Sequence, residues 1–155
     1  MQDNEKVADI LNDLIKINND RIEGYEKAIK DSKGNFNYDT LFNQMIEQSR
    51  TIRQELISEL RTTGGELETN ETTNSGKIYR AWMDVKTAFT GKSEASVLEL
   101  CEFGEDAAQK AYKEALSDAE NMSADTRQLL MRQKDELKMS HDLIKRERDA
   151  QKANA

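Results

Sequence analysis

Several polar or charged residues stand where apolar helical stripes should run unbroken. Asn18, Arg21 and Tyr25 lie on a first stripe, Ser49 on a second, Glu105 on a third, and Gln133, Ser140 and His141 on a fourth. Burying such groups costs free energy unless they hydrogen-bond to one another, to water or to a metal. Each cluster falls near the middle of its segment, so helices packed side by side would carry one polar layer across a common waist. Two chemistries suit the set. Arg21 and Glu105 can form a buried ion pair, with Asn18, Ser49, Gln133 and His141 taking up the remaining donors and acceptors. Alternatively, Glu105 and His141, with Glu102 one turn earlier at the edge of its stripe, offer two carboxylates and an imidazole, a set acceptable to zinc, manganese or iron. Glu26 flanks the first stripe and could complete that set, whereas Glu23 points outward by helical phase. Arg21 weighs against a metal, because a fixed cation at the same level repels it and competes for the same carboxylate. The ion-pair network is the favoured reading, a metal site the runner-up, and another ligand pocket the third. Cys101 and His141 face the same core, but no strand-loop scaffold or oxyanion donors accompany them, which argues against a hydrolase.

The elements that must position these residues follow from hydrophobic period. Val7, Ile10, Leu11, Leu14, Ile17, Ile22 and Ala28 recur at helical spacing and predict a helix over about 4–32, with Gly34 as a stop. Leu41, Phe42, Met45, Ile52, Leu56 and Leu60 predict a second over about 37–63, ended by Gly64-Gly65. Beyond a polar stretch, Ser75 caps a short predicted helix over 76–90, which carries Ile78, Tyr79, Trp82, Val85 and Phe89. Val97, Leu98, Cys101, Ala108, Ala111, Tyr112 and Ala115 predict a long helix over 94–119, with Ser93 as its cap. Ser123 then opens a last one over 124–150, with Leu130, Leu137 and Ile144 inward. The long helices would each measure about 40 Å. Short loops make hairpins of the first pair and the last pair, while the roughly 30 residues between pairs are enough to run the length of a bundle. That is the connectivity of an all-α, ferritin-like four-helix bundle with one long crossover containing a short fifth helix, with a plain up-down bundle, which would waste the long connection, as the main alternative.

Composition bounds the rest. At 155 residues the chain suits a single domain over 1–155, and its lack of proline fits an almost wholly helical fold. A net charge of −7 argues against a nucleic-acid partner or an anionic membrane surface. The run Lys145-Arg146-Glu147-Arg148 reads as cations near a helix C-terminus. Cys101 is the one cysteine, which leaves no intramolecular disulfide and no thiolate metal knuckle. No signal peptide or membrane-spanning run is evident, and the cytoplasm is the expected compartment. Trp82 with Tyr79 offers a flank through which a homo-oligomer could form.

Three stretches carry a resemblance: Leu14-Ile15-Lys16-Ile17-Asn18-Asn19-Asp20-Arg21-Ile22-Glu23-Gly24-Tyr25, Arg80-Ala81-Trp82-Met83-Asp84-Val85-Lys86 and Cys101-Glu102-Phe103-Gly104-Glu105-Asp106. From about Val7 to Asp149 the chain resembles a bacterial four-helix-bundle family of unknown function in the ferritin-like superfamily, related to rubrerythrins. The resemblance implies a fold, a bacterial source and the option of a carboxylate metal site, but no substrate. Di-iron members of that superfamily use a Glu from each of two helices and a Glu-x-x-His from each of the other two. Here the single histidine precludes two such motifs, Lys138 stands three residues before His141, and Glu47 is followed by Arg50 and projects away from its stripe. The expectation is therefore a non-catalytic structural or interaction bundle, stress-associated roles included, with metal binding as the alternative.

Overall fold

A computed structural model describes residues 3–32, 38–68 and 94–153. Among these residues it is all-helical, with helices α1 (Asn4–Ser32), α2 (Asp39–Thr62), α3 (Glu94–Leu116) and α4 (Ala124–Ala153) and a 3₁₀ turn at Ala119–Asn121. The predicted short helix over 76–90, its Trp82 and Tyr79, and the cap residue Ser93 lie outside the described residues. Helix α3 stops three residues earlier than its period suggested. The Ser117 amide still bonds back to Lys113 and Glu114, but the Asp118 and Asn121 amides turn to i−3 acceptors and tighten the chain into the 3₁₀ turn. Helix α4 runs past the expected end at 150 to Ala153.

Local capping explains the starts of α1 and α4 and the end of α2, whereas α2 opens at Tyr38 without a side-chain cap. Asp3 Oδ1 accepts the Lys6 amide at 3.1 Å to open α1, and Ser123 Oγ accepts the Thr126 amide at 3.1 Å to open α4. Helix α2 ends in a Schellman motif: the Gly65 amide bonds Leu60 O at 2.9 Å and the Gly64 amide bonds Arg61 O at 3.0 Å. Gly64 takes the left-handed conformation that this motif requires, with φ +83°.

Hydrogen bonds between helices fix the directions. In the α1–α2 hairpin, Asn12 reaches Glu66 O and Arg21 reaches Ser49. In the α3–α4 hairpin, Tyr112 pairs with Gln133, and Lys152 with Glu99. Across the hairpins, α1 runs antiparallel to α3 (Lys6 to Asp118, Arg21 to Glu105). Helix α2 runs antiparallel to α4 (Thr126 to Glu59, Ser140 to Gln48). Helices α2 and α3 are therefore parallel. Gly65 lies against Ala8 at the start of α1, whereas the last turns of α4 bond Tyr38 and Glu99 at the opposite end. Thr62 and Glu94 thus sit at opposite ends of the bundle.

The core is built from Leu11, Leu14, Ile15, Phe42, Ile52, Leu56, Leu60, Leu98, Leu130, Leu137 and Ile144, all buried. Aromatic packing of Tyr25 on Phe42, with centroids 5.3 Å apart, closes one side of the waist.

The two glycines after α2 should respond differently to substitution. A Cβ at Gly65 would stand 2.6 Å from Leu60 Cδ1 and 2.9 Å from Ala8 Cβ, while one at Gly64 meets nothing within 4 Å. Gly64→Ala should cost about 1–2 kcal/mol through its left-handed backbone alone. Gly65→Ala should cost about 1–3 kcal/mol through overpacking, and Ala8→Gly should relieve part of that second loss only. Urea denaturation of the single and double variants checks this, and equal rescue of both glycine variants would contradict it.

Candidate functional site

Helix α1 supplies the centre of the waist. Its side chains at 11, 14, 18, 21, 25 and 28 recur at helical spacing and are all buried, so Asn18, Arg21 and Tyr25 enter the core with their apolar neighbours. Arg21 is 1% exposed and Glu105 is 0% exposed. Arg21 Nε donates to Glu105 Oε1 at 2.6 Å, and Tyr25 Oη donates to the same oxygen at 2.7 Å. Arg21 Nη1 donates to Ser49 Oγ at 2.7 Å and to Met45 O at 3.3 Å, and Nη2 meets Met45 Sδ at 3.3 Å. Ser49 Oγ in turn donates to Asn18 Oδ1 at 3.0 Å. The Asn18 amide then donates to Leu14 O at 2.9 Å and to Tyr112 Oη at 3.3 Å. Tyr112 donates to Gln133 Oε1 at 2.9 Å, and Gln133 Nε2 donates to Glu55 Oε1 at 3.2 Å. One chain of hydrogen bonds therefore touches all four helices.

Its electrostatics follow from burial. Desolvation alone would pull the Arg21 guanidinium down, but the charge and hydrogen bond of Glu105 outweigh it and hold Arg21 above its ordinary value. Burial, reinforced by the Glu105 charge, pushes the Tyr25 hydroxyl and the Cys101 thiol well up. Tyr112 is also raised, chiefly by burial. The two phenols and the thiol thus stay protonated near neutral pH. Glu105 Oε2 is buried and, among the described residues, has no hydrogen-bond partner. Arg21 approaches through Nε and gives its other nitrogens to α2, so the carboxylate is held by one oxygen instead of by a two-bond fork.

The structure divides the sequence-derived residues. Asn18, Arg21, Tyr25, Ser49, Glu105 and Gln133 converge at the waist. Ser140 is buried, yet its hydroxyl donates to Gln48 Oε1 at 2.9 Å on the α2–α4 seam. His141, expected inward, is displaced to the α3–α4 seam. The inward stripe of α4 runs through 133, 137, 140 and 144, and position 141 lies one residue, about 100° of helix, beyond 140. Its Nε2 lies 2.5 Å from Asp106 Oδ1 and its Nδ1 3.0 Å from Asp142 Oδ1. Glu102 is taken by Arg148 at the same seam. Glu26 and Glu47 are exposed partners of Arg50. The proposed ligand set of Glu105, His141 and Glu102 is therefore split between core and rim, and the bundle centre holds a guanidinium where a carboxylate-bridged metal would need to sit. The waist does not fit the metal centre of ferritin-like di-iron proteins.

Sequence reasoning missed Tyr112, which reads as one more member of an apolar stripe. Its signal was a hydroxyl two turns past Glu105, which cannot be buried at that level without a partner. Also missed was a second buried polar face of α1, made by Asn12, Lys16, Asn19 and Asp20. The backbone of Glu66 and Glu68 pairs with Asn12, and Lys16 Nζ reaches Glu68 Oε2 at 2.9 Å.

At the rim, burial pulls the His141 pKa down, but its bonds and charges with Asp142 and Asp106 prevail and raise it above 6.5. Asp142 is held down to about 2 by the hydrogen bond from Lys138 and then that from His141. A folded value above the unfolded one stabilises the native state fully below pH 6.5, and that contribution is lost as pH rises through the folded value. His141→Gln should therefore be less stable than wild type near about pH 5.5, and the gap should shrink by about pH 8. Denaturant midpoints at both pH values measure it, and a gap that grows with pH contradicts the pairing.

No curated protein and no solved structure matches this chain. A family model does match, and its span takes in Asn18, Arg21, Tyr25, Ser49, Glu105 and Tyr112. Over residues 6–118 the match is to a domain of unknown function, DUF2383, and the chain belongs to that family.

Proposed function

We propose that the chain is a non-catalytic, ferritin-like bundle with a structural or interaction role, whose polar waist sets how its two helical hairpins sit together. The observation that carries this reading is the closure of the waist. Asn18, Arg21, Tyr25, Ser49, Glu105, Tyr112 and Gln133 are at most 1% exposed, and their donors and acceptors are spent largely on one another. Such groups present no surface to a substrate. The raised Cys101 thiol also lacks the thiolate character that a nucleophile needs. The two antiparallel hairpins, with Thr62 and Glu94 at opposite ends, support the ferritin-like connectivity. A net charge of −7 supports a role without nucleic acid. The lone, buried, unpaired cysteine supports a reducing, cytoplasmic setting. Among the described residues, no helix is long and apolar enough to cross a membrane.

Buried ion pairs add little net stability, but removing one partner strands the other charge. Arg21→Ala should cost about 3–5 kcal/mol. Adding Glu105→Ala to it should recover part of that loss, with a coupling energy of about 0.5–3 kcal/mol in a double-mutant cycle. Helix content of the double variant should match wild type by circular dichroism. Strictly additive losses would sink the idea that this pair fixes the register of the hairpins.

A further inference from the structure

Away from the waist, one group of side chains has the chemistry of metal ligands. Glu102 and Asp106 stand one turn apart on α3, His141 faces them from α4, and one ligand atom from each lies within 4.8 Å of the others. We propose that this seam binds a first-row divalent cation, zinc above all, through His141 Nε2 and the carboxylates of Asp106 and Glu102. It is separate from the waist: Glu105 is not one of the three, and its Oε1 is held in the core by Arg21 and Tyr25.

The donor set is one imidazole and two carboxylates, which suits zinc and its neighbours and not the all-oxygen shells of magnesium or calcium. Tetrahedral zinc with bonds near 2.0–2.2 Å places its ligand atoms about 3.3–3.6 Å apart. The three groups are already gathered within 4.8 Å, so side-chain rotation alone can reach that geometry, with the 2.5 Å contact of His141 to Asp106 opening to admit the ion. The ring is also oriented for the task. Its Nδ1 is engaged by Asp142 Oδ1 at 3.0 Å, and Lys138 holds that carboxylate in turn at 2.8 Å. A metal-ligating histidine is commonly fixed through its other nitrogen in this way, which leaves Nε2 to bind. Glu102 and His141 are mostly covered by the seam, while Asp106 is 59% exposed and supplies both the entry and the solvent side of the site. Two carboxylates and a neutral imidazole balance a divalent charge.

Arg148 is the competitor, since it pairs with Glu102. It also bonds Asp149 at 2.9 Å and 3.2 Å, so it keeps a counter-charge when Glu102 turns to a metal. The arrangement therefore predicts a site whose affinity is limited by one removable arginine.

Calorimetric titration of the full chain, carrying no histidine tag, with zinc chloride tests this. Wild type should take up zinc saturably at one ion per chain. His141→Ala should weaken uptake by more than about 100-fold, beyond the usual loss of an outer-shell partner, and Arg148→Gln should tighten it. The His141 ring-proton signals of wild type should shift on zinc addition. Magnesium chloride should do neither. Absence of saturable zinc binding up to about 1 mM, uptake unchanged by His141→Ala, or an equal response to magnesium overturns the site. An Arg148→Gln affinity no tighter than wild type removes Glu102 from the ligand set and overturns the site in this form. Should His141→Ala fail to fold, unshifted ring protons in zinc-treated wild type overturn it on their own.

Discussion

The buried contact between Arg21 on α1 and Glu105 on α3 constrains much of what surrounds it. A guanidinium has five N–H donors and no acceptor, and at 1% exposure it has no bulk water to satisfy them. Its Nε therefore takes the carboxylate, and its terminal nitrogens take Ser49, the Met45 carbonyl and the Met45 sulfur. Each of these partners lies at one level of the bundle. Sliding α1 by a turn, about 5.4 Å, would separate them all at once. Apolar stripes tolerate such slips far better, because one leucine against another is much like the next. The polar layer thus supplies a register that the surrounding leucines and isoleucines do not.

The layer is also asymmetric. Contacts within each hairpin are local in sequence, whereas the Arg21–Glu105 bond joins residues 84 positions apart and links one hairpin to the other. Tyr112 and Gln133 extend the same link to α4 through neutral hydrogen bonds. The ion pair of the waist therefore lies on the seam between α1 and α3, while its neutral bonds run from Ser49 on α2 through Asn18 on α1 and Tyr112 on α3 to Gln133 on α4. Glu105 Oε2, buried without a partner among the described residues, marks where the layer is least complete.

Much of this was legible in the residues, because helical period and capping chemistry are local. The spacing of Leu11, Leu14 and Ile17 specifies α1, and a glycine pair after Leu60 specifies a left-handed stop. Pairing Arg21 with Glu105 was legible too, since two opposite charges on inward stripes near their midpoints have few other partners. What escaped is what depends on exact phase or on neighbours distant in sequence. His141 is four residues from the inward Leu137, which suggests the core, but it is also next to Ser140, and only packing decides which neighbour governs. Asn12 and Lys16 look like solvated surface until the chain of Glu66–Glu68 lies over them. Tyr112 hides in an apolar stripe because its ring belongs there and only its hydroxyl does not.

The direction of the helices carries one more consequence. Because α1 is antiparallel to both α2 and α3, and α4 is antiparallel to both as well, α1 and α4 run the same way. The first residue of α1 and the last of α4 therefore sit at opposite ends of a body about 40 Å long. Anything joined ahead of α1 is held a full bundle length from anything joined after α4.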